Sequence, residues 1–561
     1  MEAVIREAIN DALKTLGLPE CDFAVEHPKE LSHGDYACNV AMVLGKQVGQ
    51  APRQVAEQLV AALAGQIEYI DNIEIAGPGF INFHLARDFF VAEAARAIGA
   101  GAEWGKSDVW SGKKVVVEYT DPNPFKEFHI GHLFTNAVGE SIARLFMING
   151  AEVKRVCYQG DVGLHVAYAI WGMQKIGITT KTDFTAKDLG KAYATGATAY
   201  KDNEMVKAEI RTINKAIYER SDEAINSLYD KGRKVSLAYF DSIYDIVGTE
   251  FDEYFFESEA GLRGRELVLN NPDNFPESDG ARIFDGEQYG LHTRVFLNKE
   301  GLPTYEAKEL ALAKMKEERL GYYDYSVIST ANEINEYFKV LLKAMSFVYP
   351  DLAGKTEHIG HGMVRLSTGK MSSRTGDVIS ALDFISEVAD EARAKCSESG
   401  VVHPNDVLAN QIALGAIKYA TLRGSILQDS IFDKERALSF EGDSGPYLQY
   451  THARALSVLE KAQGVGILPQ LTLIPETSYI LERILYRFPE VIEAALAERA
   501  PHLLVTYLTQ LAGEFNTFYA HEKIADPTDK YAPYKVLLTR AVAITLKNGL
   551  WTLGMEAPEK M

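Results

Sequence analysis

The chain of 561 residues reads as an α/β protein with an all-helical C-terminal third, and three observations carry that reading. Lys114-Val-Val-Val-Glu-Tyr119 is a nearly continuous apolar run, of the kind a parallel sheet buries on both faces. A helix and a second strand follow within 45 residues, which makes a βαβ unit and the start of an open parallel sheet. Beyond about Asn405, strand patterning gives way to one helical period after another. The length itself predicts roughly three or four domains.

In chain order, Val4, Ile5, Ile9, Leu13 and Leu16 recur at helical spacing, as do Val55, Leu59, Val60 and Leu63. Asn72-Ile-Glu-Ile-Ala-Gly-Pro-Gly-Phe-Ile-Asn-Phe-His84 reads as two short strands across a Gly-Pro-Gly turn. These elements form an N-terminal α/β domain, closed by a linker at Trp110-Ser-Gly-Lys113. After the strand at Lys114 and a Pro-rich loop, a helix begins near Gly131 with Leu133, Phe134, Ala137, Val138, Ile142, Leu145 and Phe146 on its apolar face, and Val153 to Tyr158 is the next strand. Residues of about 172 to 285 interrupt the alternation with long helices and an acidic, aromatic stretch at Glu250 to Glu259, and read as an insertion. Sheet patterning returns at His292–Phe296 and Tyr325–Ser329. Helical periods then run over Gln411–Arg423, Pro446–Gln463, Tyr479–Glu498, Pro501–Glu522 and Tyr534–Leu553.

Composition removes several function classes. Apolar residues at 47% and charged residues at 24% are a globular balance, unlike that of a disordered or fibrous chain. Lys and Arg number 58 against 78 Asp and Glu, and the resulting net charge of −20 excludes a generally basic, histone-like nucleic-acid binder. A local basic face is still compatible with it, because that footprint depends on distribution. Cys21, Cys38, Cys157 and Cys396 stand far apart with no C-x-x-C, so neither a zinc site nor a disulfide framework is expected. The N-terminus lacks the basic-then-apolar order of a signal peptide, and no apolar run approaches the ~18 residues of a membrane span. A cytoplasmic protein with no membrane partner is the expectation.

The chemistry concentrates in two stretches. In Asp121-Pro-Asn-Pro-Phe-Lys-Glu-Phe-His-Ile-Gly-His132, two imidazoles and a glycine sit where a buried strand turns into a helix. Unpaired amides and the positive end of the helix dipole face a ligand there. Glycine lets a nucleotide ring approach the backbone, and the imidazoles can donate to phosphate oxygens as charge moves toward a leaving group. The same four letters recur at His358-Ile-Gly-His361, but Gly362-Met-Val-Arg-Leu366 follows there and reads as a strand, with no helix to cap; the second copy is a decoy. Shortly after it comes Thr368-Gly-Lys-Met-Ser-Ser-Arg-Thr-Gly376, whose cations and hydroxyls between glycines suit a pyrophosphate that is gripped and then released.

With both stretches in view, the sequence resembles the class I aminoacyl-tRNA synthetases, His129-Ile-Gly-His132 and Lys370-Met-Ser-Ser-Arg374 being the two hallmarks. More narrowly it resembles the arginyl-tRNA synthetase family over nearly its whole length. Ser32-His-Gly-Asp-Tyr-Ala37 and Ala76-Gly-Pro-Gly-Phe-Ile-Asn-Phe83 are similar to that family's extra N-terminal domain, Gly445-Pro-Tyr-Leu-Gln-Tyr-Thr-His-Ala-Arg454 to the first helix of its anticodon-binding domain, and Gly554–Met561 to its usual ending. The resemblance implies a Rossmann-type parallel-sheet catalytic core at 110–395 with its insertion at about 172–285. It also implies an N-terminal α/β domain at 1–109 that recognises the tRNA elbow (D-loop), and an all-α anticodon-binding domain at 396–561.

The implied reaction joins L-arginine to ATP as an adenylate and passes the arginyl group to the 3′-terminal adenosine of tRNA(Arg). ATP enters as its Mg²⁺ complex, no zinc is needed, and activation waits for bound tRNA. The family's commoner form is a monomer. Carried over position by position, His129 and His132 stabilise phosphate charge, Gly131 lies under the adenine, and Lys126 and Lys370 neutralise pyrophosphate. Met371, Ser372 and Ser373 complete the ATP loop. Glu118 and Asn123 hold the α-amino end of arginine. Tyr305 and Glu309, one helical turn apart, meet the guanidinium. Phe80 and Asn82 match positions that stack on and hydrogen-bond a D-loop base; Tyr447, Tyr450 and the helix of Phe515–Tyr519 are expected at the anticodon.

The chain departs from the family pattern at several places. Glu309 replaces the usual Asp, and Ser373 the loop's second lysine, a charge for which Arg374 or Lys126 is the candidate. Phe134 stands where arginine is common, and His165 where glutamine is common. A class I synthetase for another amino acid is the alternative, favoured if Glu118 and Glu309 do not face the pocket. An inactive synthetase-like RNA-binding scaffold would carry decayed nucleotide motifs, and both are intact here.

Overall fold

The computed structural model describes residues 1–366, 379–398 and 405–561. They form two compact units. One comprises Met1–Trp104, Arg454–Phe488 and Gln510–Thr545, the other Gly105–Ala453, Pro489–Thr509 and Leu546–Met561.

In the first unit, a four-stranded antiparallel sheet runs in the order Val25–Glu26, Tyr36–Cys38, Phe80–Leu85, Ile70–Ala76. Alternation puts Ile81, Phe83 and Leu85 into the core with Ile5, Ile9 and Leu13 of the first helix and Val55, Leu59 and Leu63 of another. Asp35 is buried where the chain turns into this sheet. Its Oδ2 accepts the Leu85 N–H at 2.9 Å and its Oδ1 accepts Arg483 Nε at 2.8 Å.

The second unit is built on a five-stranded parallel sheet, ordered Thr356–His361, Tyr325–Ala331, Lys114–Glu118, Glu152–Gln159, Glu253–Phe256. Val115, Val116 and Val117 of the central strand are all buried, so both faces are covered. One face packs on the helices Glu257–Leu269, Tyr305–Leu320 and Asn335–Val348 through Val116, Val156, Phe255 and Ile328. The helix Ile130–Ile148 approaches the sheet closely at Gly139, where a Cβ would lie 2.2 Å from Tyr119 Cβ. The helices Leu164–Lys175, Ala186–Asp202, Glu204–Glu219 and Glu223–Val247 have a core of their own around Trp171, Leu189, Ile210 and Leu228.

The edge strand Glu253–Phe256 corrects the reading of 172–285 as wholly outside the sheet. It lies in the acidic, aromatic stretch expected to be insertion, and pairs with Val156–Gln159. Likewise Arg294–Leu297 belongs to a separate antiparallel sheet with Ala281–Phe284 and Glu277–Ser278. The helical period over Tyr479–Glu498 is two helices, Ile480–Leu485 and Phe488–Ala497. After residue 405, one short strand, Ser430–Phe432, pairs with Val364–Leu366. No helix among the described residues is long and apolar enough to cross a membrane.

Candidate active site

Each parallel strand delivers its chemistry at its C-terminal end, where an open α/β sheet binds its ligands. Glu118 ends the central strand, Tyr158 and Gln159 end the next, and Glu257 follows Phe256 at the edge. Between the first of these and the next helix, the chain takes left-handed backbone at Thr120, Asp121 and Phe125 (φ 81°, 44° and 67°). Such values cost a non-glycine residue of order 1 kcal/mol or more each and persist only under tertiary restraint. Here the restraints are visible. Asp121 Oδ1 accepts the Tyr158 N–H at 2.7 Å, and the Phe125 N–H donates to Ser236 Oγ at 2.9 Å. The Phe125 ring stacks on Tyr229, and Gly232 leaves room for it.

The loop ends at His129, the N-cap of Ile130–Ile148. His129 and His132 cap one another: the His132 N–H donates to His129 Nδ1 at 3.4 Å, and the His129 N–H to His132 Nδ1 at 3.3 Å. Their rings stack at 3.7 Å and 14°. A ring nitrogen that accepts a backbone N–H carries no proton, so each neutral ring keeps its proton on Nε2 and presents it as a donor. Burial, then the Lys126 charge, push His129 down to about 4. Burial, His129 and Lys126 together hold His132 well below its ordinary value. Both are therefore neutral donors at pH 7. Gly131 has a local reason the sequence did not give: a Cβ there would meet His129 Cε1 at 2.9 Å.

Lys126 is half-buried beside this pair, with Nζ 4.7 Å above the Tyr193 ring, and burial lowers its pKa. Across from it, the Ile130 N–H donates to Ile379 O at 3.3 Å and the Ala381 N–H to Phe128 O at 2.8 Å. His129 and Ser380 form an antiparallel bridge. The chain that follows the second hallmark is thus anchored on the first. Lys370, Met371, Ser372, Ser373 and Arg374 themselves lie outside the described residues.

The second half of the site is an acidic pocket. Glu118 is buried with Oε2 2.6 Å from Lys316 Nζ, and both side chains are 2% exposed. Glu257 is paired with Lys308 at 2.6 Å, also out of solvent. Asn123 leans over Gly160, where a Cβ would lie 2.2 Å from Asn123 Oδ1 and 3.2 Å from Glu257 Oε1. Glu309 joins this group: burial first, then the Glu118 charge, hold its carboxyl well above the ordinary carboxylate range. Asp121 is raised by the same two causes. The buried hydroxyls of Tyr158 and Tyr337 have no hydrogen-bond partner among the described residues, and both lie within the field of Glu257 and Glu309. Unpaired buried donors beside crowded carboxylates are costly, and they mark a place built for a polar ligand.

The structure therefore brings Glu118, Asn123, Glu309, Lys126, His129 and His132 to the C-terminal end of the sheet. Tyr305 is 57% exposed at the start of its helix, its ring 5.3 Å from Lys308 Nζ. Asp121, Tyr158, Glu257, Lys308, Lys316 and Tyr337 were not picked out from sequence, although position at strand ends could have flagged Tyr158 and Glu257. Asp161 is a further omission. Fully buried, it accepts from Ser258 N and Oγ, from Arg233 Nε (each 2.8 Å) and from Tyr229 Oη (3.3 Å), and so fixes the helix start that carries Glu257. His165 donates from Nε2 to Gly160 O at 2.7 Å and is pushed down to about 3 by burial and Lys126. Phe134 is buried edge-on against Phe384. The decoy ends the strand Thr356–His361, where His358 stacks on Phe338 at 3.8 Å and caps no helix.

In the other unit, Phe80 and Asn82 share the face of their strand opposite the core. Phe80 is half-buried and Asn82 is 3% exposed. On the helix Pro501–His521, Phe515 and Phe518 are buried and Tyr519 is exposed; Tyr447 and Tyr450, which belong to the unit of the parallel sheet, are half-buried.

Comparison with known proteins agrees with this geometry. Residues 100–434 match the family model for the catalytic domain of class I tRNA synthetases (R), residues 448–561 the DALR anticodon binding domain, and residues 3–85 the arginyl tRNA synthetase N-terminal domain. The arginine–tRNA ligase of Oenococcus oeni is 29% identical over 100% of this chain and 99% of its own. That of Limosilactobacillus reuteri is 30% identical over 99% of both. The solved arginyl-tRNA synthetase of Thermus thermophilus superposes with a TM-score of 0.81 at 26% identity, covering both chains fully. With full-length relatives, three matching domains in order and the paired histidines in place, the chain belongs to the arginyl-tRNA synthetases of class I.

Proposed function

We propose that the chain ligates L-arginine to its cognate tRNA through an arginyl-adenylate, with ATP entering as its Mg²⁺ complex. The observation that carries the substrate is the charge of the pocket. Glu118, Asp121, Glu257 and Glu309 converge there against Lys308 and Lys316. Two carboxylates are left in excess, and arginine brings two cations, its α-ammonium and its guanidinium. With one Glu118 oxygen on Lys316, the other and Asn123 face the α-ammonium. Glu309, Glu257 and the Tyr305 and Tyr337 phenols face the planar guanidinium fork. A neutral isostere brings no charge to expel the protons of the raised carboxyls or to pair with the remaining ones, and is rejected for that reason.

In activation, an oxygen of the arginine carboxylate forms a bond to the α-phosphorus of ATP as the bond to the pyrophosphate oxygen breaks. A carboxylate is already a nucleophile, so no general base is required, and the work is positioning and electrostatics. The Nε2–H groups of His129 and His132 donate to phosphate oxygens as charge moves onto the leaving group. Lys126 and Lys370 balance that charge, with Arg374 or Lys126 standing in for the loop's second lysine, and Gly131 lies under the adenine. In transfer, a hydroxyl of the tRNA's terminal adenosine attacks the adenylate carbonyl and AMP leaves. Phe80 and Asn82 take the D-loop base. Activation waits for bound tRNA.

The deciding experiment is pyrophosphate exchange into ATP with arginine, with and without tRNA(Arg). Exchange only when both are present is the expected result. Exchange with arginine alone would overturn the tRNA requirement, and exchange with a different amino acid only would overturn the pocket assignment.

A further inference from the structure

The second His-Ile-Gly-His string caps no helix, but its last residue carries a feature without a local explanation. His361 ends the strand Thr356–His361 and is 4% exposed. Its Nδ1 lies 2.9 Å from Gly362 O, and a carbonyl only accepts, so Nδ1 holds the ring proton. Burial lowers the pKa of the ring, which is therefore neutral at pH 7. Nε2 is then a bare acceptor, and among the described residues it has no hydrogen-bond partner. An acceptor left unpaired away from water is costly, and it calls for a donor from outside the chain.

The place of His361 in the sheet says where that donor comes from. His358 stacks on Phe338, and a Cβ on Gly360 would meet Asn335 Oδ1 at 1.7 Å, so both positions face the helix Asn335–Val348. Side chains alternate along a strand, and His361 faces the other way. Its register partner is Ala331, which shares a strand face with Tyr325, and the Tyr325 ring meets Phe146 of the helix Ile130–Ile148. His361 thus lies on the face that the catalytic helix covers, at the end of the sheet where that helix starts with His129 and Gly131. The chain that leaves the sheet at His361 enters the second hallmark and is next held at Ile379–Ala381, bonded to Phe128 and Ile130. A nucleotide whose phosphates are shared by the two hallmarks has its base between these two points.

We propose that the His361 side chain selects the base of the nucleotide, its Nε2 accepting a hydrogen bond from the 6-amino group of adenine. The proposal rests on the reading of the chain as an ATP-dependent ligase, and deepens it by assigning the choice of adenine to one side chain. The fixed tautomer gives that choice a sign. A 6-amino group donates and satisfies the bare nitrogen. The 6-keto oxygen of hypoxanthine or guanine only accepts, and would set lone pair against lone pair in a site closed to water. Gly362 O matters here as the group that keeps the proton on Nδ1. His358, at the start of the same string, takes no part: its ring is stacked on Phe338 and its Nε2 lies 2.7 Å from Thr330 Oγ1.

The test uses the full chain and three triphosphates: ATP, ITP with its 6-keto group, and purine riboside triphosphate, which carries no group at that position. Affinities are measured with tRNA(Arg) present and arginine absent, so no turnover is required. Charging of tRNA(Arg) with ATP tests the ligase reading separately. The unaltered enzyme should bind purine riboside triphosphate about fivefold to tenfold more weakly than ATP, as expected for one neutral hydrogen bond, and ITP about thirtyfold or more weakly. In His361→Phe, which keeps a ring but no acceptor, ATP and purine riboside triphosphate should bind within about twofold of each other, and ITP should lose most of its added penalty. A merely structural role would weaken all three nucleotides alike. No measurable affinity for ATP, equal affinities for ATP and purine riboside triphosphate in the unaltered enzyme, or an undiminished difference in His361→Phe would each overturn the proposal. Should the phenylalanine variant fold poorly, nitrogen-15 spectra of the histidine-labelled unaltered enzyme decide. ATP, and not purine riboside triphosphate, should move an unprotonated Nε2 resonance upfield, and identical spectra with the two nucleotides would overturn the assignment.

Discussion

At the scale of single residues, the pocket is decided by carboxylates that repel one another until a cation arrives. Glu309 and Asp121 both sit well above the ordinary carboxylate range, first because they are buried and next because Glu118 is close. In the empty pocket they therefore retain protons that a solvated carboxyl would have lost. A protonated carboxyl offers a guanidinium no charge, so arginine binding must expel those protons. The sign follows: arginine affinity rises with pH across the raised carboxyl range and falls as pH is lowered through it. Glu309→Gln should raise the arginine KM by about thirtyfold or more, the equivalent of roughly 2 kcal/mol for one lost partner of a buried charge contact, and should flatten part of that pH dependence. The KM for ATP should move little, since His129, His132 and Lys126 are the groups proposed for the phosphates. An arginine KM that ignores pH in the unaltered enzyme would refute this account of the pocket. These residues also show what could and could not be read from sequence. The motif at His129–His132 was legible because its strand-to-helix context is local. Lys308 and Lys316 were not, because in Tyr-Glu-Ala-Lys-Glu-Leu-Ala-Leu-Ala-Lys-Met-Lys they look like ordinary solvated helix charges, and only the tertiary fold buries them against Glu257 and Glu118.

At the scale of elements, the site depends on how closely one helix lies on one strand. Gly139 brings Ile130–Ile148 against Tyr119, whose hydroxyl donates to Glu140 Oε2 of the same helix at 2.5 Å. The helix N-terminus, with His129 and His132, is aimed from there. Gly139→Ala would place a methyl group 2.2–2.3 Å from Tyr119 Cβ and Cγ. Neither atom is the far end of a flexible chain, so the helix must lift. Overpacking of this kind costs about 1–3 kcal/mol. Thermal unfolding should begin several degrees lower, and kcat for activation should fall because the imidazoles no longer meet the phosphates squarely. A variant with unaltered Tm and unaltered kcat would show that the helix is not so constrained. The strand Glu253–Phe256 teaches the converse about legibility. Asp252 and Glu253 carry charge at the sheet edge, where Asp252 Oδ2 accepts the Arg155 N–H at 2.8 Å and Oδ1 meets Lys154 at 3.0 Å. Charge at an edge is how sheets avoid further pairing. It also erases the apolar run that makes central strands easy to read, and so the sequence of the fifth strand reads as insertion.

At the scale of the whole molecule, the C-terminal third is part of the core of both compact units, and it does not behave as a detachable appendage. In the unit that contains residues 1–104, Tyr486 packs on Tyr36, Phe89 and Phe90. Arg483 meets buried Asp35, and Arg87 meets Glu482 at 2.7 Å. In the other unit, Lys418 is 2% exposed and donates to Val247 O at 2.6 Å and to Gly554 O, while Arg144 reaches Trp551 O at 2.8 Å and stacks on its ring. Both units would therefore be damaged by one cut. A chain ending at residue 444 would keep Asp35 without Arg483, Arg87 without Glu482, and Lys418 with one carbonyl where it had two. Each buried charge or donor stripped of its partner costs about 1–5 kcal/mol, and a domain's whole stability is only about 5–15 kcal/mol. The catalytic motifs would all be present in that chain, yet it should unfold without a cooperative transition, or aggregate, and it should not support pyrophosphate exchange. Differential scanning calorimetry and near-ultraviolet circular dichroism of residues 1–444 are the direct check. A single sharp transition near the Tm of the full chain would mean that the contacts at Tyr486, Arg483 and Gly554 are incidental. Its absence would mean that neither compact unit is complete without the anticodon-binding segment.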